Sequence, residues 1–262
     1  MRRTLVGFVG TVIALVAALI GASAAWAQFS ASDFNKVQLV DTTLNPMEIE
    51  VAPDGTLFYI ERRGVVGVWD PVTETSREIG TVPVTTFEEN GLLGLALDPN
   101  YEFNGWIYLA YSVPPVETLT QRVSRFKLDE EGNLDLSSEQ RIFEWKHLRE
   151  TCCHSAGALE FDPDGNLLIS TGDNTNPFAS NGYAPIDERP GRASWDAQRT
   201  SANTNDHNGK LLRIKPLENI TPGTDPGIGD TYTIPEGNMF GEDEDPLTLP
   251  EIHSMGFRNP FR

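Results

Sequence analysis

Three times along this chain an apolar run stops at a proline-led turn and a second apolar run follows. Pro53-Asp54-Gly55 leads into Leu57-Phe58-Tyr59-Ile60, Pro99-Asn100 stands between Gly91–Leu97 and Trp106–Tyr111, and Pro163-Asp164-Gly165 separates Ala158–Phe161 from Leu167–Ser170. The turn prolines lie 46 and 64 residues apart. Runs this short, bounded by Gly, Pro and Asp, are strands of antiparallel hairpins rather than helices. A strand–turn–strand unit that returns at such intervals marks a repeat architecture, in which each unit leaves apolar faces for its neighbours to cover. A β-sandwich also has short strands, but it does not require one hairpin to recur, so the recurrence favours a β-propeller.

The other strands fill out the units. The first runs from Met47 to Val84, with Ile49 and Val51, Leu57–Ile60, Val65–Trp69 and Arg77–Val82 as its strands. The second adds Arg122–Leu128 and Arg141–Trp145, and the third resumes at Leu211–Ile214 after a long excursion. That excursion, residues 174–209, is rich in Asn, Ser, Pro and Gly and lacks apolar periodicity. A connection so long inside a compact domain is usually functional. It is expected as a loop on one face, with a short helix near Ser194–Ser201. Phe34–Val40 is expected as a closing strand with no blade to complete. Propellers carry four to eight blades. The chain therefore reads as all-β, an incomplete N-terminal portion of a propeller with about three blades plus a closing strand.

Charge narrows the partners. The 262 residues hold 20 Lys+Arg against 38 Asp+Glu, a net charge of −18, which excludes a phosphate backbone as the default ligand. The N-terminus carries Arg2 and Arg3, an uncharged apolar run Leu5–Ile20 and Ala25-Trp26-Ala27. That is the pattern of a secretory signal peptide, residues 1–27, with an uncleaved anchor as the alternative. The mature domain is then 28–262, secreted or periplasmic, with no later membrane span. The two cysteines, Cys152 and Cys153, are adjacent, which excludes a disulfide scaffold. They can close an eight-membered ring or remain thiols.

Among the four histidines, His154 stands just before an inner-strand pattern and Asp173 ends the strand paired with it. Hairpin ends are close in space, so Asp173 can orient the imidazole as a general base. The plain alternative is a surface histidine near a turn aspartate. Glu89 is either a hydroxyl acceptor or a solvated charge beside Glu88. Lys210 and Arg213 read as structural strand residues. The acidic run Glu242–Asp245 reads as a solvated loop rather than a calcium site.

Four segments in order carry a family resemblance: Glu89–Ala96, Cys153–Leu159 running on to Ser170–Asp173, Gly209–Ile214, and Pro250–Ile252 through Gly256–Pro260. They resemble the glucose/sorbosone dehydrogenase family, soluble sugar dehydrogenases that use pyrroloquinoline quinone. The resemblance implies a six-bladed propeller. It implies that His154 takes the proton of an aldose anomeric hydroxyl while hydride passes from C1 to the quinone, giving a lactone. Asp173 orients that base, Arg258 stabilises charge on the quinone oxygen, Asn259 contacts the cofactor and Glu89 faces substrate. An external electron acceptor is implied, as is calcium, with ligands and further basic residues expected in later blades; this portion alone is therefore expected to be inactive. Export, and analogy with quinoprotein alcohol dehydrogenases of another propeller family, imply a Cys152–Cys153 disulfide beside the quinone. A secreted, non-catalytic propeller that binds glycan or protein is the alternative.

Overall fold

A computed structural model describes residues 34–116, 118–148, 152–241 and 245–261. The expected signal peptide lies outside them, as do residues 242–244 of the acidic run. The chain divides into two compact units, residues 1–38 and 39–262, and every strand belongs to the second. Three antiparallel sheets follow one another. The first joins β1 (Pro46–Val51), β2 (Leu57–Glu61), β3 (Val65–Asp70) and β4 (Thr75–Thr81) in chain order. The second joins β5 (Leu92–Leu97), β6 (Ile107–Ser112), β7 (Thr120–Leu128) and β8 (Leu134–Lys146), with a one-turn helix α1 (Tyr101–Asn104) between β5 and β6. The third joins β9 (Ala156–Phe161), β10 (Leu167–Thr171) and β11 (Lys210–Pro216); β12 (Tyr232–Thr233) and β13 (Ile252–Met255) both pair with β11. These are three blades of a propeller, and β5 packs against both β1 and β9.

The middle blade shows why the strands read as continuous apolar runs. All six residues of β6 are buried. Side chains alternate across a sheet. Ile107, Leu109 and Tyr111 join Phe58, Ile60 and Val66 of the first blade, while Tyr108 and Ala110 join Leu159, Leu167 and Ile169 of the third. Both faces are covered, so neither can be polar. Each Val, Leu, Ile or Phe among them contributes about 1.5–3 kcal/mol when fully buried. Near the start of β5, a Cβ on Gly94 would meet the Gly157 carbonyl oxygen, so only glycine lets β5 and β9 approach there.

Residues 34–40, expected as a closing strand with no blade to complete, lie in no strand. The expected helix near Ser194–Ser201 is instead two 3₁₀ turns, Ala193–Trp195 and Ala197–Arg199, separated by Asp196 in an extended conformation. Asp196 accepts from the Gln198 backbone N–H and so starts a second turn rather than extending the first. The strands β12 and β13 were not legible as such, being short and far along the chain from β11. Among the described residues no helix is long and apolar enough to cross a membrane.

Candidate active site

The site is built at the end of the third blade where β9 begins and β10 ends. Thr171 pairs with Ala156 across that end. The register leaves His154, two residues before β9, opposite Asp173, two residues after β10. His154 Nδ1 lies 2.5 Å from Asp173 Oδ1, and the two residues are 3% and 1% exposed. A carboxylate only accepts, so it fixes the proton on Nδ1 and leaves the Nε2 lone pair as the basic site. Among the described residues Nε2 has no hydrogen-bond partner. The carboxylate is itself held: Oδ1 also accepts from Thr175 N at 2.9 Å, and the Asp173 N–H donates to the Arg258 carbonyl at 2.8 Å.

The backbone around this pair is strained. Glu88, Cys153, His154, Ala156 and Asn174 have φ of 53°, 95°, 65°, 48° and 52°, the left-handed region that costs a non-glycine residue about 1–3 kcal/mol. Specific side chains hold it there. Glu89 Oε2 accepts from His154 N at 2.6 Å and Ser155 N at 3.3 Å, and Asn259 Oδ1 accepts from Ala156 N at 3.0 Å. Gly172 makes room: a Cβ there would strike the His154 carbonyl group.

Behind the pair runs a buried polar layer that the sequence did not announce. His147 Nδ1 meets Asn208 Oδ1 at 3.0 Å, and its Nε2 meets Asn174 Nδ2 at 3.2 Å and Ser155 Oγ at 3.3 Å. Asn174 also accepts from Leu148 N and donates to Leu148 O. Ser155 Oγ donates to Asn90 Oδ1 at 3.4 Å. These partners are 8 to 65 residues apart in sequence, and only the Asn-rich composition of the excursion hinted at them.

A family model for glucose/sorbosone dehydrogenase matches residues 43–261. The chain belongs to the glucose/sorbosone dehydrogenase family. It is 29% identical over 241 residues to the uncharacterized protein slr1608 of Synechocystis, covering 88% of this chain and 51% of that protein. It is also 25% identical over 223 residues to human Hedgehog-interacting protein, covering 79% of this chain and 28% of that one. The PQQ-bound aldose sugar dehydrogenase of Streptomyces coelicolor superposes with a TM-score of 0.55 at 23% identity, over 82% of this chain and 51% of that one, a likeness of fold. The chain thus spans about half the length of slr1608.

The remaining family-implied residues fall around the same end. Arg258 is exposed, and its guanidinium has no hydrogen-bond or ion-pair partner among the described residues. Its backbone carbonyl, not its guanidinium, is what the structure ties to the His–Asp pair, through the Asp173 N–H. Asn259 has its oxygen committed to Ala156, leaving its amide NH₂ as donor. Cys152 and Cys153 are joined as a vicinal disulfide, their Cα atoms 3.7 Å apart. Lys210, expected as a strand residue, is fully buried and ties the excursion down. Its ammonium donates to the carbonyls of Thr200 and Asn208 at 2.8 Å and of Ser201 at 3.3 Å, and burial lowers its pKa to about 8. Arg213, in β11, bonds Asn238 Oδ1 at 3.0 Å. Within the excursion, Asp187 binds Arg189 at 2.6 Å and Arg192 at 3.1 Å, and the Arg189 hydrogen bond holds its carboxyl below the usual range.

A groove of about 830 Å³ opens between the second and third blades at the opposite end. Its buried Arg125 is committed to Tyr108 OH, Gln140 Oε1 and Glu218 O, which makes it a seam between blades rather than a site.

Proposed function

We propose that this chain is part of an exported quinoprotein dehydrogenase that oxidises an aldose at C1 to the lactone, with His154 as the general base. The observation that carries the reading is the buried His154–Asp173 pair with Nε2 left free. A base so placed contributes about 10²–10⁴ in rate. His154 Nε2 accepts the anomeric hydroxyl proton, and Asp173 keeps the ring oriented and stabilises the imidazolium that results. Pyrroloquinoline quinone, when bound, supplies the two-electron acceptor for the C1 hydride. The donor set fits that group: Arg258 would hold an anionic quinone and counter charge developing on its oxygen, and the Asn259 amide would donate to it. The Cys152–Cys153 ring, directly preceding the base, would lie against it. Among the described residues no group of three or more His, Cys, Asp or Glu could hold a metal. An external acceptor would remove the electrons.

A binding role is the second reading, favoured by the likeness to a relative named for its interaction with Hedgehog. Such a role gives no reason for a buried, oriented imidazole. The test is dye reduction by the complete protein with a panel of aldoses, with and without added quinone and calcium. Quinone-dependent turnover supports the enzyme; its absence with every aldose, together with saturable glycan or protein binding, supports the second reading.

A further inference from the structure

Glu89 does something the family resemblance does not supply. It sits in the segment that leads into β5 of the second blade, 65 residues from the base, yet its carboxylate reaches the third blade. One oxygen, Oε2, takes two consecutive backbone N–H groups, His154 at 2.6 Å and Ser155 at 3.3 Å. Consecutive backbone N–H groups that converge on one point can hold an anion. Here φ is 95° at Cys153 and 65° at His154, and the anion is part of the protein. Hydrogen bonds to a charged group are about twice as strong as neutral ones. The neighbouring Glu88 is itself at φ 53°. The Glu89 carboxylate therefore opposes relaxation of the strained backbone that carries the base.

We infer that Glu89 is a positioning residue that clamps the His154 backbone from the adjacent blade, rather than a residue whose principal role is to bind substrate. Its activity arm rests on the dehydrogenase reading above; its structural arm does not. An imidazole displaced by 1 Å loses about 10² in rate while sugar binding is little changed. A residue that only held sugar would raise KM instead.

The experiment compares wild type, Glu89→Ala and Glu89→Gln in the complete protein. Amide hydrogen exchange is measured without cofactor, and kcat and KM are measured with quinone. The glutamine carbonyl can still accept both N–H groups. Expected for Glu89→Ala is exchange at His154 and Ser155 faster by about tenfold or more, with kcat down by about tenfold or more and KM within about threefold. Glu89→Gln should recover most of both. Unchanged exchange in Glu89→Ala overturns the clamp, as does a raised KM with unchanged kcat, or a Glu89→Gln variant as impaired as Glu89→Ala. If wild type oxidises no aldose, the dehydrogenase reading falls, and the exchange data still decide the clamp.

Discussion

Gly172→Ala isolates the close approach on which the base depends. Gly172 lies between the end of β10 and Asp173, and its backbone is not in the left-handed region, so alanine meets no φ penalty. The obstacle is space. The new Cβ would land on the His154 carbonyl and within 2.9 Å of the His154 Cα. Those are backbone atoms, so no rotamer change relieves the contact. The His154–Ala156 backbone is also pinned, by Glu89 on one side and Asn259 on the other. Either the segment moves, breaking those bonds, or the end of β10 does. Overpacking of this kind costs about 1–3 kcal/mol. At about 2–4 °C per kcal/mol for a domain this size, Tm should fall by about 2–12 °C. The base moves by an ångström or more, so turnover should fall by about 100-fold. Scanning calorimetry and dye-linked turnover on the complete protein read both effects. A variant with Tm within a degree of wild type and undiminished turnover would refute the reasoning, because it would mean that the segment yields without cost.

Two further outcomes are expected. Asp173→Asn keeps shape and the Thr175 hydrogen bond but loses the charge facing the imidazolium; a charged hydrogen bond is worth about 1.5–3 kcal/mol, so kcat should drop about 10- to 100-fold with Tm little changed, as steady-state kinetics and a melt would show. Glu50, on β1, has its pKa raised to about 7, chiefly by burial and then by Glu160 and Glu48. A carboxyl raised in the folded state holds a proton that the unfolded chain has released, so its contribution to stability falls as pH rises from about 4.5 to about 7. Glu50→Gln should therefore raise Tm at pH 8 and leave it unchanged at pH 4, and equal melting temperatures at pH 8 would show that the carboxylate is not penalised there.

The sequence by itself determined the repeat. Proline-led turns at Pro53, Pro99 and Pro163 and the short apolar runs between them are local signals, because turn chemistry and strand-forming runs act over a few residues. The hairpin at β9 and β10 was equally local, and that is why His154 and Asp173 could be placed close together from their positions, while their burial and hydrogen bond could not. Tertiary structure decided everything that joins residues from different blades or from the excursion. Glu89 could be read as a solvated charge or a substrate contact because nothing near it in sequence says that its carboxylate ends on the backbone of His154. His147, Asn174 and Asn208 form one buried layer only because the excursion folds back over the blade, anchored by Lys210 on three carbonyls. Lys210 itself looked like an ordinary strand residue, since burial of a cation is a property of what surrounds it.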